Sequence, residues 1–117
     1  MLQAAVIVFA IGALGGLVLA SYVLRGRLAP WALSLLHAAL GATGLVLTAL
    51  VVFGNGATVP NHAGLALLLL AIAALGGFFL ASVHLRKQPG PKAVVLIHAG
   101  VAVIGFILLA GGAFQLF

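Results

Sequence analysis

The sequence predicts an all-α integral membrane protein, an antiparallel bundle of four transmembrane helices built from a duplicated helical hairpin. Three observations carry this. Of the 117 residues, 66% are hydrophobic and 4% charged, where a soluble globular domain carries about 25% charged residues; mean hydropathy is +1.44. Charges and turn formers cut the chain into four long apolar runs. The second half repeats the first at a constant offset. The chain therefore reads as one membrane domain, 1–117, with repeat 1 over 1–56 and repeat 2 over 62–117.

The first run, Leu2 to Leu24, stops at Arg25-Gly26-Arg27. It lacks a charged leader and is longer than the apolar core of a signal peptide, so it is read as a span. The second runs from Pro30 to Phe53 and stops at Gly54-Asn55-Gly56. The third runs from about His62 to Leu85 and stops at Arg86-Lys87-Gln88-Pro89-Gly90, and the fourth starts at Pro91 and continues almost to Phe117. At about 1.5 Å per residue each run reaches roughly 35 Å, enough to cross a bilayer with some tilt. Pro30, Pro60 and Pro91 stand at helix starts, where a missing N–H costs nothing.

All five cations fall in two turns: Arg25 and Arg27 in one, Arg86, Lys87 and Lys92 in the other. By the positive-inside rule both turns face the cytoplasm, with both termini and the middle loop outside, as in a multi-pass protein of the bacterial inner membrane. Trp31 and Tyr22 read as interfacial anchors, Gln3 and Gln115 as markers of the outer ends, and His62 and His84 as interfacial histidines that meet water and headgroups.

The halves align without a gap at an offset of 61. Ala13-Leu14-Gly15-Gly16 matches Ala74-Leu75-Gly76-Gly77, Ser21 matches Ser82, Arg25 matches Arg86, Pro30 matches Pro91, and His37-Ala38 matches His98-Ala99. Residues 5–53 against 66–114 give 21 identities in 49 pairs. Both hairpins start and end on the same sides, so the repeat is parallel. In the simplest bundle, helices 1 and 3 are diagonal, as are 2 and 4.

Composition excludes much chemistry. The chain has no Asp or Glu and no Cys, hence no paired-acid hydrolysis, no acid in a catalytic triad, and no thiolate, disulfide or Fe–S ligand. Five cations in so apolar a chain build no nucleic-acid groove. Proton-coupled export by a membrane carboxylate is also excluded.

What remains is a histidine pair. His37 and His98 each lie seven residues after a helix-starting proline, so both sit about 10 Å above the basic end. Across a bundle diagonal of roughly 11–14 Å they leave room for one flat metal macrocycle ligated on both faces. On this reading His37 and His98 are the axial metal ligands of one haem b. Gly41 and Gly44 share the His37 stripe with Ser34 and Thr48, and Gly105 shares that of His98. Gly15, Gly16, Gly76 and Gly77 lie at histidine depth and would let the ring edge approach backbone. Arg25 and Arg86 stand at the mouth, where they could pair with propionates. The arrangement resembles the membrane-embedded b-type cytochrome bundles, in which diagonal helices supply paired histidines and the other two supply glycines. It departs from the respiratory bundles, which usually hold two stacked haems, in having one pair.

The expected function is a one-haem electron-transfer subunit, not itself an enzyme, sitting in lipid, with a quinone as exchange partner and further copies or other membrane subunits as neighbours. Two readings stand beside it. The chain could be a non-catalytic accessory subunit in which the histidines are interhelical glue, or a small channel or transporter.

Overall fold

The computed structural model describes residues 1–54, 59, 60 and 62–117; the expected turn at Asn55-Gly56 lies outside them. The described chain is all-helical: α1 (Leu2–Leu24), α2 (Trp31–Val52), α3 (Ala63–Leu85) and α4 (Lys92–Ala113). Each helix is long and apolar enough to span a membrane. The molecule is 46 Å long and about 20 Å across, close to the full thickness of a bilayer with its headgroups, about 40–45 Å.

The helix ends follow from local chemistry. At the end of α1 the Arg27 N–H donates to Tyr22 O and the Gly26 N–H to Val23 O, with Gly26 at φ 70°. This is a Schellman close, in which a left-handed residue lets the chain satisfy the last carbonyls. The same close ends α3, where Gln88 donates to Val83 O and Lys87 to His84 O, with Lys87, a non-glycine, at φ 58°. A third ends α4 at Ala113, where Leu116 donates to Gly111 O around Gln115 at φ 56°. The last helix is therefore shorter than its apolar run. Pro30 and Pro91 sit just before the first helical residue, their carbonyls accepting from Ser34 and Val95.

Helix α1 packs antiparallel along α2 and α3 along α4, and the hairpins meet through seams between α1 and α4 and between α2 and α3. The α1–α3 and α2–α4 pairs face each other across the diagonals. The Phe9 ring covers Gly44, and Leu70 covers Gly105 at the position 61 residues on. At the end away from the basic turns, Leu2, Ala5, Val6, Ala63, Ala66, Leu70, Leu109 and Ala113 form the core. Gln3 Nε2 ties α1 to α4 there by donating to Ala113 O at 3.1 Å. Thr48, fully buried, donates to Gly44 O on its own helix, so its hydroxyl adds no unsatisfied group.

The outside is covered with large apolar side chains, among them Leu14, Leu17, Leu68, Leu75, Phe78 and Ile97. Water would make such a surface untenable, whereas lipid tails accept it. A Cβ on Gly44 would stand 2.6–2.8 Å from three ring atoms of Phe9. Gly44→Ala is therefore expected to cost about 1–3 kcal/mol by overpacking, measured as lowered thermal stability in detergent. Phe9→Leu, which copies the Leu70–Gly105 contact, should restore it.

Candidate functional site

Helices α2 and α4 bring His37 and His98 together across the diagonal. Their ring centroids are 6.2 Å apart and their planes stand at 80°. Each ring is anchored inside its own hairpin. His37 Nδ1 donates to Gly12 O at 2.8 Å, and His98 Nδ1 donates to Ala73 O at 2.7 Å. Gly12 and Ala73 are themselves 61 residues apart, so the two anchors correspond position for position.

A carbonyl oxygen only accepts, so each Nδ1 carries a proton, and in the neutral ring each Nε2 is left with its lone pair. Among the described residues neither Nε2 has a hydrogen-bond partner, and neither is fully enclosed. Nδ1–H on a carbonyl with Nε2 available is the arrangement by which proteins orient a metal-binding imidazole.

The expected glycines differ in what they face. Gly16 and Gly77 take the imidazoles: a Cβ on Gly16 would lie 2.8 Å from His37 Cε1, and one on Gly77 would lie 3.2 Å from His98 Cε1. Gly76 touches His98 at 3.7 Å, and Gly15 only Leu33 at 3.9 Å. Gly16, Gly76 and Gly77 thus lie against the histidine rings, and Gly15 does not. Gly44 and Gly105 belong to helix packing under Phe9 and Leu70, and Gly41 faces open space. Spacing places a residue on a stripe, but the helix that faces the stripe decides what fills it.

Arg25 folds back along α1, with Nε donating to Ser21 O at 3.0 Å and Cζ lying 5.2 Å from the Tyr22 ring centre. Arg86 is exposed at the matching corner. Ser34, expected on the His37 stripe, points to α3, where its Oγ lies 2.6 Å from His84 Nδ1. His84 is therefore not simply an interfacial residue. Its Nε2 donates to Ala29 O at 2.8 Å and its ring meets Trp31 edge-on at 5.0 Å. The sequence carried a signal for this: Ser34 and His84 both face valines, Val95 and Val23, in the repeat alignment.

Packing differs between the two halves of the bundle. No residue of 13–24 on α1 or 31–43 on α2 is buried, and of 74–85 and 92–104 only Val83 and Val95 are. Both histidines lie half-buried in this looser, basic half.

The donor set fits a haem. No group of three or more His, Cys, Asp or Glu that could hold a metal ion occurs among the described residues, whereas a porphyrin supplies four nitrogens and asks the protein for one or two axial ligands. No family model, curated protein or solved structure matches the chain.

Proposed function

We propose that the chain is a membrane-embedded electron-transfer subunit binding one b-type haem, with His37 and His98 as its axial ligands. The observation that carries this is the facing pair of carbonyl-anchored imidazoles whose Nε2 atoms have no other partner. When bound, haem supplies a one-electron couple at the iron. The chain's own part is to present the two imidazoles across the bundle and fix their tautomer through Gly12 O and Ala73 O, so that each Nε2 would be left for the iron. A duplicated hairpin accounts for the paired anchors, since copying one His–carbonyl unit generates both.

In this reading both basic turns face the cytoplasm of a bacterial inner membrane and the site lies in the cytoplasmic half. Its exchange partners are a quinone or neighbouring subunits, including further copies, seated against the long apolar faces. The purified protein should show a Soret band and a low-spin spectrum that carbon monoxide leaves largely unchanged, because both axial positions are filled. A colourless preparation that stays colourless with added haem would refute it. That outcome would favour the accessory-subunit reading, for which the two Nδ1–carbonyl bonds, each clipping one hairpin, are sufficient glue.

Arg25 and Arg86 stand at the same corner of each hairpin, below the site. Changing both to Gln is expected to lower the midpoint potential, since two positive charges near the ring favour the reduced state. A redox titration checks this; an unchanged potential would leave the arginines as topology signals.

A further inference from the structure

An arginine at the end of a membrane helix ordinarily extends its charged head into water. Arg25 does the reverse. It caps the C-terminus of α1 and folds back along the helix, Nε donating to Ser21 O at 3.0 Å and Nη2 reaching Ser21 Oγ at 3.5 Å. Its Cζ lies 5.2 Å from the Tyr22 ring centre. The Ser21 hydroxyl donates to Val18 O at 2.6 Å, which leaves its oxygen to accept from the guanidinium. A guanidinium carries five N–H donors. Two are engaged with Ser21, and the others, on the two Nη atoms, make the planar fork that takes a phosphate through two oxygens.

The helix surface beside Arg25 gives the chemistry of that anion. Ser21, Val18 and Leu14 stand four, seven and eleven residues before it, one column on a helix face, and all are exposed. Gly12 and Gly16, which meet α2, lie on the other side of α1. From Arg25 to Leu14 the column spans about 16 Å, close to half of a hydrocarbon core about 30 Å thick. A cation at the head of an apolar track one leaflet long matches an amphiphile rather than a soluble polyanion. The column recurs 61 residues on as Arg86, Ser82, Phe79 and Leu75, again all exposed. Ser82 is held as Ser21 is, its Oγ donating to Phe79 O at 2.6 Å. With no Asp or Glu in the chain, the counter-charge for a cation drawn back toward hydrocarbon comes from outside it. Anionic headgroups supply that charge at the membrane interface.

We propose that the outward faces of α1 and α3 each bind one anionic phospholipid. Arg25 and Arg86 hold the phosphate, while Val18 with Leu14, and Phe79 with Leu75, lie along an acyl chain. Ser21 positions the Arg25 guanidinium, and Ser82 presents the same oxygen one turn before Arg86. Because α1 and α3 are diagonal, the two lipids sit on opposite sides of the bundle. Arg27 and Lys87 belong to the same basic turns but stand outside the columns. The proposal is independent of what the histidine pair holds.

Native mass spectrometry of the intact chain in mild detergent tests it, with equal amounts of phosphatidylglycerol and phosphatidylcholine added, and separately with inorganic phosphate. Two phosphatidylglycerols should be retained per chain, each preferred over phosphatidylcholine by about fivefold or more, and inorganic phosphate should not be retained. Arg25→Gln and Arg86→Gln should each lose one lipid, and the double variant both. Arg25→Lys keeps the charge but not the fork and should weaken retention nearly as much as Arg25→Gln. Arg27→Gln and Lys87→Gln should leave the count at two, with helical content by circular dichroism unchanged throughout. Equal retention of the two lipids overturns the proposal, as does an Arg27→Gln loss as large as that of Arg25→Gln, which marks diffuse attraction to a basic end. Inorganic phosphate held as firmly as phosphatidylglycerol also overturns it, since the apolar column would then contribute nothing.

Discussion

His37→Ala and His98→Ala are each expected to abolish stable haem binding while all four helices stay inserted. The chain has no Cys, its single Met stands at position 1 and its single Tyr at the basic end of α1, so no other side chain at this depth can take over an axial position. Losing one ligand should weaken haem affinity by about 100-fold or more, since even groups that only orient a metal ligand are worth 10–100-fold. The fold should survive, because Gly12 O and Ala73 O lie inside α1 and α3 and keep their intrahelical donors. What is lost is one interhelical hydrogen bond, worth about 0.6 and at most about 1.7 kcal/mol in a membrane bundle. Soret absorbance per chain, with helical content by circular dichroism, measures both effects. A full Soret band in His37→Ala would remove the assignment.

The fold was legible because a membrane span is read from length and composition. The first span runs over the expected residues, and the second and third begin one residue inside their expected starts. The fourth was expected to run almost to Phe117 because nothing polar interrupts it before Gln115. It ends at Ala113 because Gln115 adopts the left-handed conformation of a Schellman close, which no apolar count reveals. The depth of His37 and His98 was legible from their common distance to a proline, and their approach follows from the diagonal order of the helices.

The details of the site were not legible, for a physical reason. A stripe on one helix says which residues point the same way, while the facing helix decides which of them meet. Ser34 and His37 share a face of α2, yet Ser34 finds His84 on α3 and His37 finds Gly12 O on α1. Gly44 belongs to the same stripe and receives Phe9. Of the glycine pairs, Gly16, Gly76 and Gly77 meet an imidazole, while Gly15 meets Leu33.

That accommodation sets up the second large effect. Gly16→Ala is expected to disrupt the site nearly as strongly as removing the ligand, by adding one methyl group. The new Cβ would stand 2.8 Å from His37 Cε1, 3.4 Å from Nδ1 and 3.6 Å from Nε2. Helix backbone cannot retreat without breaking its hydrogen bonds, so the ring must move. Because Cε1 lies between the two nitrogens, any displacement shifts the anchor to Gly12 O and the ligand atom together. Gly77→Ala makes the same contact with His98 Cε1 at 3.2 Å, which a few tenths of an ångström relieves, so its loss should be smaller. Gly41→Ala meets nothing within 4 Å, and by helix propensity it should be neutral or stabilising by up to about 1 kcal/mol. Haem dissociation rates should therefore rank Gly16→Ala fastest, then Gly77→Ala, with Gly41→Ala close to wild type. If Gly16→Ala released haem no faster than Gly41→Ala, the His37 ring would not be held against α1 when the ligand is bound, and the tautomer argument built on Gly12 O would fall with it.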